Sequence, residues 1–166
     1  LWSMGLLSEN NWKGQWIGMD KAAEWDSETQ WSRLSARYLR KEFEVKKQVK
    51  QATVHVSGLG LYELYINGKR IGNQVLAPAP TDYRKTVLYN TFDVTSLVQK
   101  AENTVGVLLG NGWYNQRDRT VEGCMWYDTP RLLCQLEIEY TDGSTELVVT
   151  DDSWKTTTGP LLHDAI

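Results

Sequence analysis

Apolar and polar residues trade places with a period of two along most of this chain, the mark of strands buried on one face. "QATVHVS" puts Ala52, Val54 and Val56 on one side and Thr53, His55 and Ser57 on the other. His55 points away from the apolar row, so a solvated or edge histidine is expected. "LYELYINGKRIG" sets Tyr62, Leu64 and Ile66 against Glu63 and Tyr65. It then turns at Asn67-Gly68, a dipeptide that tolerates the positive φ of a tight hairpin. "TVLYNTFDVTSLV" predicts a strand ending at Asp93 and one helical turn that Asp93 can cap. "NTVGVLLG" gives Val105, Val107 and Leu109 one face, and "RLLCQLEIEYTDGSTELVVTDD" is a hairpin about Asp142-Gly143. "SWKTTTGP" supplies a last short strand. The sum is about eight short strands and no long amphipathic helix, which predicts an all-β sandwich or barrel.

The first thirty or so residues are less regular, with Trp2, Trp12, Trp16, Trp25 and Trp31 in polar surroundings. They read as a linker and packing strap over 1–30, ahead of a β-sandwich domain over 31–166. The opening "LWSMGLLSENNWKGQW" has no initiator Met, basic leader or continuous apolar run, and reads as a cut inside a longer chain. At 166 residues the length fits one domain. The net charge of -3, with both signs scattered, argues against a nucleic-acid partner. No apolar run is long enough to cross a membrane as a helix.

Cys124 and Cys134 fit no zinc spacing, and His55 and His163 lie far apart in sequence. Cys134 shares the apolar row of Leu132, Leu136, Ile138 and Tyr140, so an inert buried thiol is expected, with a Cys124–Cys134 disulfide left open. No nucleophile elbow, zinc helix, phosphate loop or dinucleotide fingerprint is present. Glu137 and Glu139 stand roughly 7 Å apart along a strand, a spacing that an inverting glycosidase could use. They face away from the core row, and a solvated outer face explains them more simply. No catalytic residue is assigned. The 8 Trp and 8 Tyr against 2 Phe favour rings with a polar handle, as wet recognition surfaces do.

Several stretches together resemble the N-terminal β-sandwich domain of bacterial α-L-rhamnosidases, glycoside hydrolase family 78. These are "WKGQWIG" at 12–18, "ARYLRKEF" at 36–43, "GLGLYELYINGKRIG" at 58–72 and "LAPAPTDY" at 76–83. "YNTFDVT" at 89–95, "NTVGVLLGNGWY" at 103–114 and the closing "TTTGPLL" continue the series in order. The resemblance implies a jelly-roll-like antiparallel sandwich of the galactose-binding or lectin-like kind. It implies a parent enzyme that hydrolyses terminal α-L-rhamnosyl linkages on a separate (α/α)6 barrel, so this part would be a non-catalytic accessory module. Relatives of the module bind L-rhamnose or rhamnosylated glycans, in some cases with Ca2+ in a structural or sugar-bridging role; others only pack on the barrel. A periplasmic or extracellular parent is expected, with its other domains as partners. One departure stands out: many relatives carry Gly-Trp before Thr-Asp-Tyr, where this chain has Ala79-Pro80.

With no indole at Pro80, a sugar platform would fall to Trp113, Tyr114 and Trp126 in "LGNGWYNQRDRTVEGCMWY", residues 109–127. Arg117 and Asp118, with Arg119, are placed to hydrogen-bond vicinal hydroxyls. Tyr83 is a further candidate ring, and Glu63 a polar strand residue near the neighbouring loops. The plainer expectation is that the rings close the end of the core and the charges sit on a solvated loop.

Overall fold

The structure, a computed structural model, describes residues 5–19, 34–115, 127–162 and 164. Its elements are β1 (Arg37–Glu44), β2 (Val49–Leu59), β3 (Leu61–Ile66), β4 (Lys69–Arg70) and β5 (Asn90–Asp93). β6 (Glu102–Gly110), β7 (Arg131–Tyr140), β8 (Thr145–Val149) and β9 (Lys155–Thr158) complete them. The strands form two antiparallel sheets, a five-stranded one in the order β4-β3-β6-β1-β9 and a four-stranded one in the order β5-β2-β7-β8. The predicted all-β sandwich is the observed fold.

The core is the union of the apolar rows read along the chain. Leu39, Leu64, Ile66, Val105, Val107 and Leu109 from one sheet meet Ala52, Val54, Val56, Leu132, Leu136 and Ile138 from the other, all buried. A strand facing the wrong way by one residue would expose its whole row, so burial of one face fixes the register. Turn chemistry agrees with it. Asn67 and Gly68 both have positive φ, 50° and 77°, as a two-residue hairpin between β3 and β4 requires. Asn67 also ties that hairpin to β6: its Nδ2 donates to Asn103 Oδ1 at 2.9 Å and its Oδ1 accepts from the Thr104 amide at 2.8 Å. Asp93 ends β5 and caps the single helical turn that follows, as predicted: its Oδ1 accepts from both the amide and the hydroxyl of Thr95, and the Val98 amide donates back to the Val94 carbonyl at 3.3 Å.

Cys134 is a free thiol within the core, and burial pushes its pKa up to about 12. It is inert, as expected, whereas Cys124 and His163 lie outside the described residues.

One expectation is overturned. His55 is neither solvated nor on an edge: β2 lies between β5 and β7, and the histidine is only 3% exposed. It does point away from the core row, but a strap from the amino-terminal side covers it. A single 3₁₀ turn at Glu9–Asn11 leads into an extended stretch. There the Lys13 amide donates to Gln135 Oε1 at 2.7 Å, and Gln135 Nε2 donates back to the Asn11 carbonyl at 3.2 Å. Farther on, Ile17 and Leu132 exchange backbone hydrogen bonds at 3.0 and 2.8 Å, extending the sheet past the end of β8. Gly14 makes the approach possible: a Cβ there would stand 2.7 Å from Thr150 Oγ1 and 3.2 Å from the Cys134 carbonyl.

Candidate functional site

The strap does not lie flush along its whole length. Between it and the segment that leads into β5, a hollow of about 530 Å3 opens over the outward side of β2 and β7. Its floor is Ser57 and Leu133, which lie opposite each other in the β2–β7 register. Trp12 and Trp16 wall it on the strap side, Tyr83 and Tyr89 on the other. In an extended chain residues 12, 14 and 16 fall on one side, so the spacing Trp-x-Gly-x-Trp places both indoles toward the hollow with a glycine between them.

The walls differ in freedom. Trp12 is pinned: it meets Tyr89 edge-on at 5.4 Å and His55 at 6.3 Å between ring centroids. Tyr89 is held in turn by its hydroxyl, which donates to the Leu6 carbonyl at 2.9 Å. Below them, His55 Nδ1 lies 2.9 Å from Thr91 Oγ1. Burial lowers the His55 pKa from its ordinary 6.5, with Glu137 opposing, so the ring under the strap favours its neutral form. Trp16 is different. It is 41% exposed and stands at the open edge.

The rim carries Glu9 and Gln15 on the strap side and Arg84, Lys85 and Thr86 on the other. Asp82 organises the second group. Its side chain accepts from Arg84 Nε at 3.0 Å and pairs with Lys85 at 3.5 Å, while its carbonyl accepts from the Lys85 and Thr86 amides. The hydrogen bond from Arg84 holds the Asp82 carboxyl below its ordinary pKa. The result is a polar margin of donors and acceptors, with two cations against two carboxylates, around walls of aromatic rings. Such a mixture fixes a small polar ligand by its hydrogen bonds and holds its apolar face by contact.

The predicted site residues divide among three places. Tyr83 and Tyr114 are brought together, with Tyr127 between them in role: Tyr114 and Tyr127 stack at 5.5 Å and 8°, and Tyr83 meets both edge-on at 5.2 and 5.1 Å. These rings pack on one another where the β4–β5 and β6–β7 loops meet. Burial raises the pKa of both Tyr83 and Tyr114, so the phenols stay neutral. Tyr83 alone of the three also lines the hollow. Trp113 is half-buried beside Tyr114. Glu63 is elsewhere: it projects from the outward side of the five-stranded sheet, pairs with Arg70 at 3.1 Å and accepts from the Tyr65 hydroxyl at 2.6 Å. Trp126, Arg117 and Asp118, with Arg119, lie outside the described residues. Pro80 is exposed and is not among the residues lining the hollow.

Calcium takes roughly six to eight oxygen ligands. Among the described residues no group of three or more His, Cys, Asp or Glu side chains gathers to hold a metal. One oxygen-rich cluster gathers Asn111, Asn115 and Asp164, and in it Asn115 Oδ1 is buried without a hydrogen-bond partner among the described residues. Asn111 Oδ1 accepts from Asn115 Nδ2 at 2.8 Å, and Asp164 accepts from the Asn111 amide and Nδ2 at 2.5 and 2.7 Å.

Sequence reading missed Trp12, Trp16 and Tyr89 as site residues and took the first two for packing alone. The available signal was the alternation in "WKGQW", two indoles on one side of an extended segment with a glycine between.

Comparison with known proteins agrees with the fold and extends it. Residues 47–166 match the family described as the α-L-rhamnosidase N-terminal domain. An α-L-rhamnosidase of Alteromonas sp. (strain LOR) is 40% identical over 160 residues, which is 95% of this chain and 17% of that protein. The α-L-rhamnosidase of Aspergillus terreus superposes with a TM-score of 0.87 at 35% identity, over 98% of this chain and 18% of the other. That of Streptomyces avermitilis, solved in complex with L-rhamnose, gives 0.73 at 38% identity, over 80% of this chain and 13% of the other. The chain therefore spans less than a fifth of the length of these relatives. Two facing sheets, the strap over one of them and the match through nearly all of the strands lead to one assignment: this chain belongs to the α-L-rhamnosidase N-terminal domain family.

Proposed function

We propose that this chain is a non-catalytic module of an α-L-rhamnosidase that holds a rhamnosyl residue in the hollow between the strap and the loop of Tyr83–Tyr89. The observation that carries the reading is the exposed indole of Trp16 at the open edge of a hollow with four aromatic walls and a rim of hydrogen-bonding groups. A sugar offers an apolar C–H face and a girdle of hydroxyls, and this site offers a ring and a girdle of donors. The Streptomyces avermitilis relative, solved with L-rhamnose, supports that sugar as the ligand class.

Chemistry supports a binding role over hydrolysis. Glycoside hydrolysis ordinarily needs a pair of carboxyl groups flanking the bond, and among the described residues that line the hollow Glu9 is the sole carboxylate. Glu137 and Glu139, the pair with the right spacing, are engaged elsewhere: Glu137 accepts from Gln135 Nε2 at 2.8 Å and Glu139 pairs with Lys50 at 2.6 Å. The hydrolysis of terminal α-L-rhamnosyl linkages belongs, in this reading, to the remainder of the parent enzyme.

The test is a titration of the intact protein with L-rhamnose, followed by tryptophan fluorescence. Saturable quenching in the millimolar range is expected, and Trp16→Ala should abolish it at an unchanged melting temperature. A flat titration to roughly tens of millimolar, a binding free energy weaker than about 3 kcal/mol, would overturn the proposal.

A further inference from the structure

The outward side of the five-stranded sheet carries a second hollow, one that the proposed function does not use. Register builds it. Gly106, mid-way along β6, lies opposite Arg40 of β1 and Tyr65 of β3. Two residues on, Leu108 lies opposite Tyr38 and Glu63. Across β1, Lys155 and Thr157 of β9 stand beside Arg40 and Tyr38. The result is a trough of about 540 Å3, with Gly106 and Leu108 in its floor and Tyr38 and Tyr65 on its sides.

Gly106 is the telling residue. Glycine inside a strand weakens it, and its usual reasons are a bulge, a sharp bend or the close approach of another group. Here β6 keeps unbroken register with both neighbours, and Gly106 has no positive φ. A Cβ on it would meet nothing within 4 Å. Neither backbone conformation nor packing among the described residues requires a glycine. What it provides is depth between two tyrosine rings.

The rim tells what such depth suits. Arg40 pairs with Glu42, which Lys155 also approaches at 3.8 Å, and Arg70 pairs with Glu63. Three cations share two carboxylates, so the margin keeps an excess of only one positive charge and calls for no strongly charged occupant. A protein surface pressed on it would strip water from five charged groups, and interface centres are depleted in charge for that reason. A saccharide lies on the rings by its C–H face and leaves the charges at its edges, still hydrated and free to bond hydroxyls. The hydrogen bond to Glu63 raises the Tyr65 pKa and keeps its phenol protonated. Tyr38 is backed by Gly159, where any side chain would run into its ring.

β1 and β3 flank β6, so the roots of the two tyrosines are roughly 10 Å apart across the strands, with a further two-residue offset along them. That span suits two linked sugar units better than one. We propose that this trough is a second saccharide-binding surface, which takes a neutral oligosaccharide across Gly106 between Tyr38 and Tyr65. Its ligand class rests on the reading given under Proposed function; its location does not.

The experiment is amide-shift NMR on the intact protein with a neutral rhamnose-containing trisaccharide, in three forms: unaltered, Gly106→Val and Trp16→Ala. In the unaltered protein the trisaccharide should shift the amides of Arg40, Tyr65, Gly106 and Leu108. Gly106→Val has room for its side chain and a better strand residue, so the melting temperature should not fall. It should weaken binding at the trough at least about tenfold while leaving the Trp12 and Trp16 indole signals responsive. Trp16→Ala should do the reverse. Trough amides unmoved by trisaccharide, or moved equally in Gly106→Val, would sink the proposal. Indole signals that stay silent while the trough responds would refute the first site and uphold this one.

Discussion

The two sheets of this sandwich have outward faces written in the same alternating code, and the molecule treats them in opposite ways. On the four-stranded sheet, His55, Ser57, Leu133 and Gln135 are all buried beneath or beside the strap. On the five-stranded sheet, Tyr38, Tyr65 and Leu108 are only half-buried, and Arg40 and Lys155 are exposed. An outward residue is thus not a solvated residue. What decides its environment is whether a distant segment returns to cover it, and here Gln135 and Gly14 are what let the strap return. The covered face opens at Trp16, and the open face has a depression at Gly106.

Three changes would break or sharpen this contrast. The largest effect is expected from a matched pair of leucines. Leu133→Ala under the strap should cost about 2 kcal/mol or more in denaturant unfolding, and Leu108→Ala on the open face less than about 1 kcal/mol. Equal costs would mean that the strap does not exclude water from its face. Next is Gln135→Ala. It removes an amide that joins Lys13, Asn11 and Glu137 through three hydrogen bonds and should cost about 1–3 kcal/mol. Proteolysis should then cut the strap before the sheets unfold. The smallest effect is the pH dependence of His55. Its folded pKa is lowered below the ordinary 6.5 by burial, so the unfolded chain binds the proton more tightly. Its contribution to stability is complete above pH 6.5 and is lost as pH falls from there toward the folded value. Melting temperature should therefore decline on acidification through about pH 6, and His55→Gln should flatten that decline. Asp82, Asp93, Asp142 and Asp151 are all held below their ordinary 3.8, so their titration falls in a more acid window.

Much of the fold was legible in the residues. The rows Ala52–Val54–Val56 and Val105–Val107–Leu109 were read as core faces and are core faces, because side chains alternate strictly along a strand and one-sided burial leaves a single register. Asn67-Gly68 was legible for a local reason, since few other pairs accept two positive φ values in succession. The site was less legible. Tyr83 and Tyr114 were singled out as rings for a sugar; both pack with Tyr127, and of the three only Tyr83 also lines the hollow. Nothing in the spacing of residues 83, 114 and 127 shows that the β4–β5 and β6–β7 loops converge. Glu63, read as a polar strand residue near the neighbouring loops, projects from the outward side of β3. Trp16 was passed over because a tryptophan in an irregular polar stretch has no period to give its direction.

The sequence by itself determined the strands, their inward faces, two hairpins and the family, since each follows from local backbone preference, from alternation, or from motifs in a fixed order. Only the tertiary structure decided which outward faces meet water. That depends on contacts between residues more than a hundred positions apart, such as Lys13 with Gln135. Their hydrogen bonds form only once both sheets exist to position them.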